Sequence, residues 1–116
     1  MNRTDLINFC LTFPATYEDY PFEKQKNTEI WTVMRHKANK KSFAFINVLH
    51  DRLCVNLKCE PNEADFLRKM YKDVIPGFHM NKTHWNTVFI NGDVPVEEIK
   101  RQIASSYDLI KPKIKV

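Results

Sequence analysis

The sequence predicts one α+β domain in two layers, with helices packed on one face of an antiparallel sheet. Three observations lead there. Between Glu29 and Lys58, three segments rich in β-branched and aromatic residues are separated only by the short connections "KANK" and "HD". Segments with apolar residues every three or four positions lie on both sides of that block. The chain has 116 residues, 43% hydrophobic and 28% charged, which suits a single core spanning residues 1–116.

Taken in order, residues 4–13 put Leu6, Phe9, Cys10 and Phe13 at helical spacing, with Asn2 or Thr4 as cap and Pro14 as terminator. Residues 15–28 mix prolines, acids and aromatics without a period and are expected as an ordered loop with room for a short strand. "EIWTVMRH", "KSFAFINVL" and "RLCVNLK" follow as three antiparallel strands. In the third, Leu53, Val55 and Leu57 face one way and Arg52, Cys54, Asn56 and Lys58 the other. That alternation predicts a sheet covered on one side, its open side polar and partly basic. Pro61 opens a second helix with Glu63 and Asp65 in its first turn, an apolar stripe at Ala64, Leu67 and Tyr71, and an end near Lys72. "WNTVFIN" reads as a further strand turned at Asn91-Gly92. A last helix carries Val96, Ile99, Ile103, Tyr107 and Ile110 on one face, with Asp93 as its cap. The predicted order is α-β-β-β-α-β-α.

Composition narrows the function classes. Asp5 and Asn8 interrupt the N-terminal stretch where a signal peptide needs an apolar run, so a cytoplasmic protein without a membrane span is expected. The cysteines Cys10, Cys54 and Cys59 are an odd number and are expected as free thiols. Eighteen Lys and Arg against fourteen Asp and Glu give a net charge of +4, which favours encounter with polyanions. A monomer is expected.

The segment "PGFHMNKTHW", residues 76–85, holds two of the four histidines. Pro76 and Gly77 are expected to set the turn out of the second helix, and Phe78, Met80 and Trp85 to tether the segment to the core. His79, Asn81, Lys82 and His84 are left for a polar site or a hydrogen-bond network. Cys54, Cys59, His79 and His84 make up a zinc-compatible inventory, but the odd spacing of the cysteines turns them to opposite faces of a strand, so no metal is expected. A thiol nucleophile paired with a histidine lacks any sign of an oxyanion hole or orienting acid. With two glycines in the chain, a backbone cradle for a nucleotide is hard to build. No catalysis and no cofactor are expected. "RHKANKK" places Arg35, Lys37, Lys40 and Lys41 around a hairpin tip without an acid. Such a tip can reach phosphates, and it can equally keep an edge strand soluble.

"KKSFAFI", "LCVNLKCEPNEADFLRKMY", "VIPGFHMNKTHWNTV" and "SYDLI" occur in the order and spacing of the MmcQ/YjbR family, and "LTFPATYEDYPF" is similar to its opening. The chain thus resembles that family over nearly its whole length. Ala15 stands where the family often has glycine, and residues 23–41 run longer and more charged than its usual segment. The resemblance implies a CyaY-like (frataxin-like) fold and a DNA-binding protein with a paired-hairpin, or double-wing, motif. Frataxins carry iron on an acidic helix surface, and the first helix here offers only Asp5, so iron handling is not expected. The nucleic-acid candidates are Arg35, Lys37, Lys40, Lys41, Arg52, Lys58, His79, Asn81, Lys82 and His84. Two alternatives stay open: a module binding an acidic protein partner, and a small enzyme using Cys59 or His84.

Overall fold

The computed structural model describes residues 1–22 and 30–112. Its elements are α1 (Arg3–Leu11), β1 (Thr16–Asp19), β2 (Thr32–His36), β3 (Ser42–Leu49), β4 (Arg52–Lys58), α2 (Pro61–Met70), β5 (Val74–Pro76), β6 (Trp85–Phe89) and α3 (Val96–Ile110). The six strands form one antiparallel sheet in the order β1-β2-β3-β4-β6-β5. The α+β class holds. The predicted order lacked β1 and β5, which are four and three residues long and too short to show a period. Glu29, where the first long strand was expected to start, lies outside the described residues.

The helices share one face. Leu6 and Cys10 of α1, Ala64 and Leu67 of α2, and Ile99, Ile103 and Ile110 of α3 bury against Met34, Phe43, Ile46, Val55, Leu57 and Val88 of the sheet. α1 begins with a capping box, Asp5 N–H donating to the Asn2 side chain at 2.8 Å and Asn2 N–H to the Asp5 carboxylate at 2.9 Å. Phe13 lies past the helix end and stacks on Tyr107 of α3, ring centroids 4.7 Å apart.

The turns expected at His50-Asp51 and Asn91-Gly92 are present, and the cap expected at Asp93 is not. Ala15 has φ 54°, a left-handed conformation that explains why glycine suits this position. His50 and Asp51 both have positive φ and close the β3–β4 hairpin in two residues, the geometry whose twist matches antiparallel strands. In the Asn91-Gly92 turn the left-handed residue is Asn91, φ 61°. Gly92 is required by close approach, because a Cβ there would lie 1.7 Å from the Asp73 carboxylate. Asp93 does not cap α3, whose N-cap is Pro95. Its carboxylate instead accepts from the backbone N–H groups of Lys72 and Asp73, at 2.7 and 3.0 Å, and so fixes the entry to β5.

The face opposite the helices is polar at its centre, as the alternation predicts, but it is not open there. Cys54, Asn56, Asn47 and Thr87 are all buried. Asn56 Nδ2 donates to Phe45 O and to Asn47 Oδ1, Cys54 Sγ donates to Asn47 Oδ1, and Thr87 Oγ1 donates to Asn56 Oδ1 at 2.5 Å. The Phe78 N–H completes the chain by donating to Thr87 Oγ1 at 3.0 Å, which draws the loop after β5 over the sheet. Burial of these amides is tolerated because no buried polar side-chain atom among the described residues lacks a partner.

Candidate functional site

The register of β3 creates a groove. Met34 pairs with Ala44 but Arg35 pairs with Ser42, so Phe43 is the extra residue of a β-bulge and turns its ring to the helix face, against His36 and Tyr107. The β3–β4 ladder ends at Ala44–Leu57. Where a Phe43–Lys58 pair would continue it, the Ser106 hydroxyl of α3 inserts, donating to Phe43 O at 2.6 Å and accepting the Lys58 N–H at 2.9 Å. The strands splay around this hydroxyl. The opening on the helix-free face is a groove of about 330 Å³ lined by Lys41, Ser42, Phe45, Lys58, Trp85 and Ile110.

Two hairpin loops stand at this end of the sheet. The first, residues 37–41, has exposed Lys37, Lys40 and Lys41 side chains. Its backbone is held firmly: Asn39 Nδ2 donates to Ile110 O at 3.0 Å, Lys41 N–H donates to Asn39 Oδ1, and Lys40 N–H donates to His36 O. Arg35 is a strut within it, bonded to the Asp19 carboxylate at 2.8 Å, Lys40 O at 3.0 Å and Ser42 Oγ at 2.9 Å. The second loop, residues 77–84, joins β5 to β6 next to Trp85, which pairs with Lys58; Pro76 ends β5 and Gly77 opens this loop, so they do not form the turn out of α2, which ends at Met70 with β5 in between. Asn81 accepts the N–H groups of Thr83 and His84, and Lys82 Nζ donates to Gly77 O at 2.8 Å. Gly77 packs so closely on β6 that a Cβ would lie 2.8 Å from that of Trp85. His79, at φ 63°, and His84 have exposed side chains.

Arg68 of α2 clamps the second loop, donating to the carbonyls of Lys82 and Trp85 and to Asn86 Oδ1. Sequence reading passed over this residue, although it lies one turn beyond Ala64 on the buried stripe, where a cation needs partners. Ser106 carries the same kind of signal, a hydroxyl among Ile99, Ile103 and Ile110. Arg52 makes a bidentate pair with Asp73 at 2.9 and 3.0 Å and lies over the Phe89 ring at 4.6 Å, so its guanidinium is engaged within the fold. The Arg52 hydrogen bonds hold the Asp73 carboxyl below its usual range.

Trp85 differs from expectation. It is half-buried on the helix-free face, where its ring meets Phe45 at 5.5 Å between centroids and 70° between planes, and Phe45 in turn meets Trp31 at 6.3 Å. Phe78, expected as a tether, is 37% exposed and is held through its backbone N–H. The central arrangement is thus an aromatic row beside lysines.

Thiol chemistry finds little support. Cys59 is buried under the helices and burial pushes its pKa up to about 11, which keeps it protonated at neutral pH. It meets His84 only through the backbone, Cys59 N–H donating to His84 O at 2.8 Å. Cys54 sits on the opposite face with Asn47, and no cluster of three metal-ligating side chains occurs among the described residues. No described helix is long and apolar enough to cross a membrane.

The family model described as YjbR matches residues 11–109. The uncharacterized protein YyaQ of Bacillus subtilis is 34% identical, the match covering 96% of this chain and 99% of that protein. The uncharacterized protein YjbR of Escherichia coli is 30% identical over 92% of this chain and 85% of its own length. A crystal structure of a Pseudomonas syringae protein superimposes with a TM-score of 0.81 at 31% identity, covering 96% of this chain and all of that one. A Deinococcus radiodurans protein gives 0.77 at 29% identity, over 92% of this chain and 76% of its own. With the family model matched over most of its length and relatives at this identity, the chain belongs to the YjbR family.

Proposed function

We propose that this protein is a non-catalytic nucleic-acid-binding module that meets phosphates with the 37–41 hairpin tip and Lys58. The observation that carries this is the state of the cations around the groove. Lys37, Lys40, Lys41 and Lys58 make no ion pair among the described residues, whereas Arg35, Arg52 and Arg68 are each engaged by internal partners. Lysines without internal partners can release counterions from a polyphosphate, and that release is the main sequence-independent source of affinity.

The placement of loops 37–41 and 77–84 on either side of Lys58 supports a paired-hairpin, double-wing contact, and the layering of helices on one sheet face supports the CyaY-like comparison. The aromatic walls beside the lysines favour nucleic acid over an acidic protein, because a base adds a stacking face to each phosphate. The test is a salt-dependent DNA titration of the parent and of Lys37→Ala/Lys40→Ala/Lys41→Ala. On duplex DNA the variant's slope of log affinity against log salt should be shallower by about 0.9 for each phosphate that its missing lysines no longer neutralise. A variant that binds as the parent does, with the same slope, would show the tip to be a solubility device.

A further inference from the structure

We infer that the groove between β3 and β4 seats one unpaired base of a single-stranded nucleic acid, the base against Trp85 and Phe45 and the flanking phosphates on Lys41 and Lys58. This rests on the nucleic-acid reading and specifies which form of the polymer the site takes.

Shape comes first. The Trp85 and Phe45 rings meet at 70°, so they form two walls of a corner and not one flat platform. A flat heterocycle entering that corner stacks on one ring and meets the other edge-on, the two arrangements that aromatic quadrupoles favour. The groove volume of about 330 Å³ falls at the small end of single-ligand sites and holds one nucleotide unit. In a duplex each base is stacked and paired, so its ring faces are hidden from a half-buried tryptophan.

Charge sits where the backbone would run. Lys58 is the register partner of Trp85 on the neighbouring strand, and Lys41 lines the groove from the hairpin. Both lack ion pairs among the described residues, and Lys37 and Lys40 are exposed on the same hairpin as Lys41. No acidic side chain is among the described residues that line the groove. Interleaved aromatics and lysines are what binding of single strands without sequence preference requires, since every base has a π-face.

The walls are also fixed before any ligand arrives. Ser106 holds the strands apart, Arg68 fixes the carbonyl of Trp85, and Asn39 ties the hairpin to the end of α3. Preorganisation of this kind lowers the entropy cost of binding.

The test uses the whole chain with Trp31→Phe, so that Trp85 is the sole tryptophan reporter, against a ten-nucleotide oligo-dT, an abasic strand of equal length and charge, and a duplex. Oligo-dT should quench Trp85 fluorescence and bind at least about fivefold more tightly than the abasic strand, the lower end of what one base stack contributes. Trp85→Phe should keep most of that preference and Trp85→Leu should abolish it. If Trp85→Leu does not fold, the abasic comparison on the parent decides alone. Equal binding of oligo-dT and abasic strand without quenching would overturn the stacking site while leaving phosphate binding intact. Duplex binding as tight as oligo-dT, site for site, would overturn it too. No binding of any of the three at low salt would overturn the nucleic-acid reading itself.

Discussion

Replacing Thr87 by valine isolates the hydrogen-bond chain that draws the 77–84 loop onto the sheet. The side chains are nearly equal in volume, so the change removes a hydroxyl without opening a cavity. In the parent that hydroxyl donates to Asn56 Oδ1 at 2.5 Å and accepts the Phe78 N–H at 3.0 Å. Thr87 and Asn56 are 0% and 1% exposed, so the Asn56 oxygen has no route to water once its donor is gone. A buried acceptor stranded in this way costs about 1–3 kcal/mol. The Phe78 N–H belongs to an exposed residue and can turn to water, so breaking its bond adds only about 0.5–1.5 kcal/mol. The expected loss is about 2–4 kcal/mol, which for a domain of this size lowers Tm by roughly 8–16 °C. Urea unfolding should show a lower midpoint with an unchanged m-value, and the Phe78 amide should exchange faster than it does in the parent while the amide of residue 87 in β6 stays protected. A Tm within about 2 °C of the parent, with Phe78 still protected, would mean that the loop is held by something other than this hydroxyl.

Arg68→Met keeps an unbranched apolar stem on α2 but removes the donors to the carbonyls of Lys82 and Trp85, so residues 77–84 should become the first site of limited proteolysis while the core melts within about 2 kcal/mol of the parent. An unchanged cleavage pattern would count against the clamp. His36 gives a pH signature. Burial holds its pKa below the usual value, and its Nε2, facing the Tyr107 carbonyl at 3.0 Å, carries the proton of the neutral ring. With the folded pKa depressed, the neutral ring's full contribution is present above the unfolded value of about 6.5, declines as pH falls toward the folded pKa, and levels off below it. His36→Gln should flatten stability across that window, and a parent with the same slope as the variant there would contradict the assignment.

The elements that periodicity reveals were legible in the sequence: all three helices, and the strands β2, β3, β4 and β6. Leu6 and Cys10, Ala64 and Leu67, and Ile99 and Ile103 are each spaced so that one face must be buried, whatever lies opposite. The basic tip at Lys37, Lys40 and Lys41 was legible for the same local reason, as a run of like charge between two strand patterns. Which cations remain without internal partners was decided only in three dimensions. Arg35 meets Asp19 from a strand 16 residues earlier, and Arg52 meets Asp73 21 residues later. The groove likewise depends on Ser106 reaching Phe43 across 63 residues and on a one-residue bulge that no alternation pattern marks. Trp85 and the buried Asn56 illustrate the limit most clearly. Periodicity tells which side of a strand a residue occupies, but the loop that covers one part of that side and leaves another open is positioned by contacts from elsewhere in the chain, and burial follows those contacts.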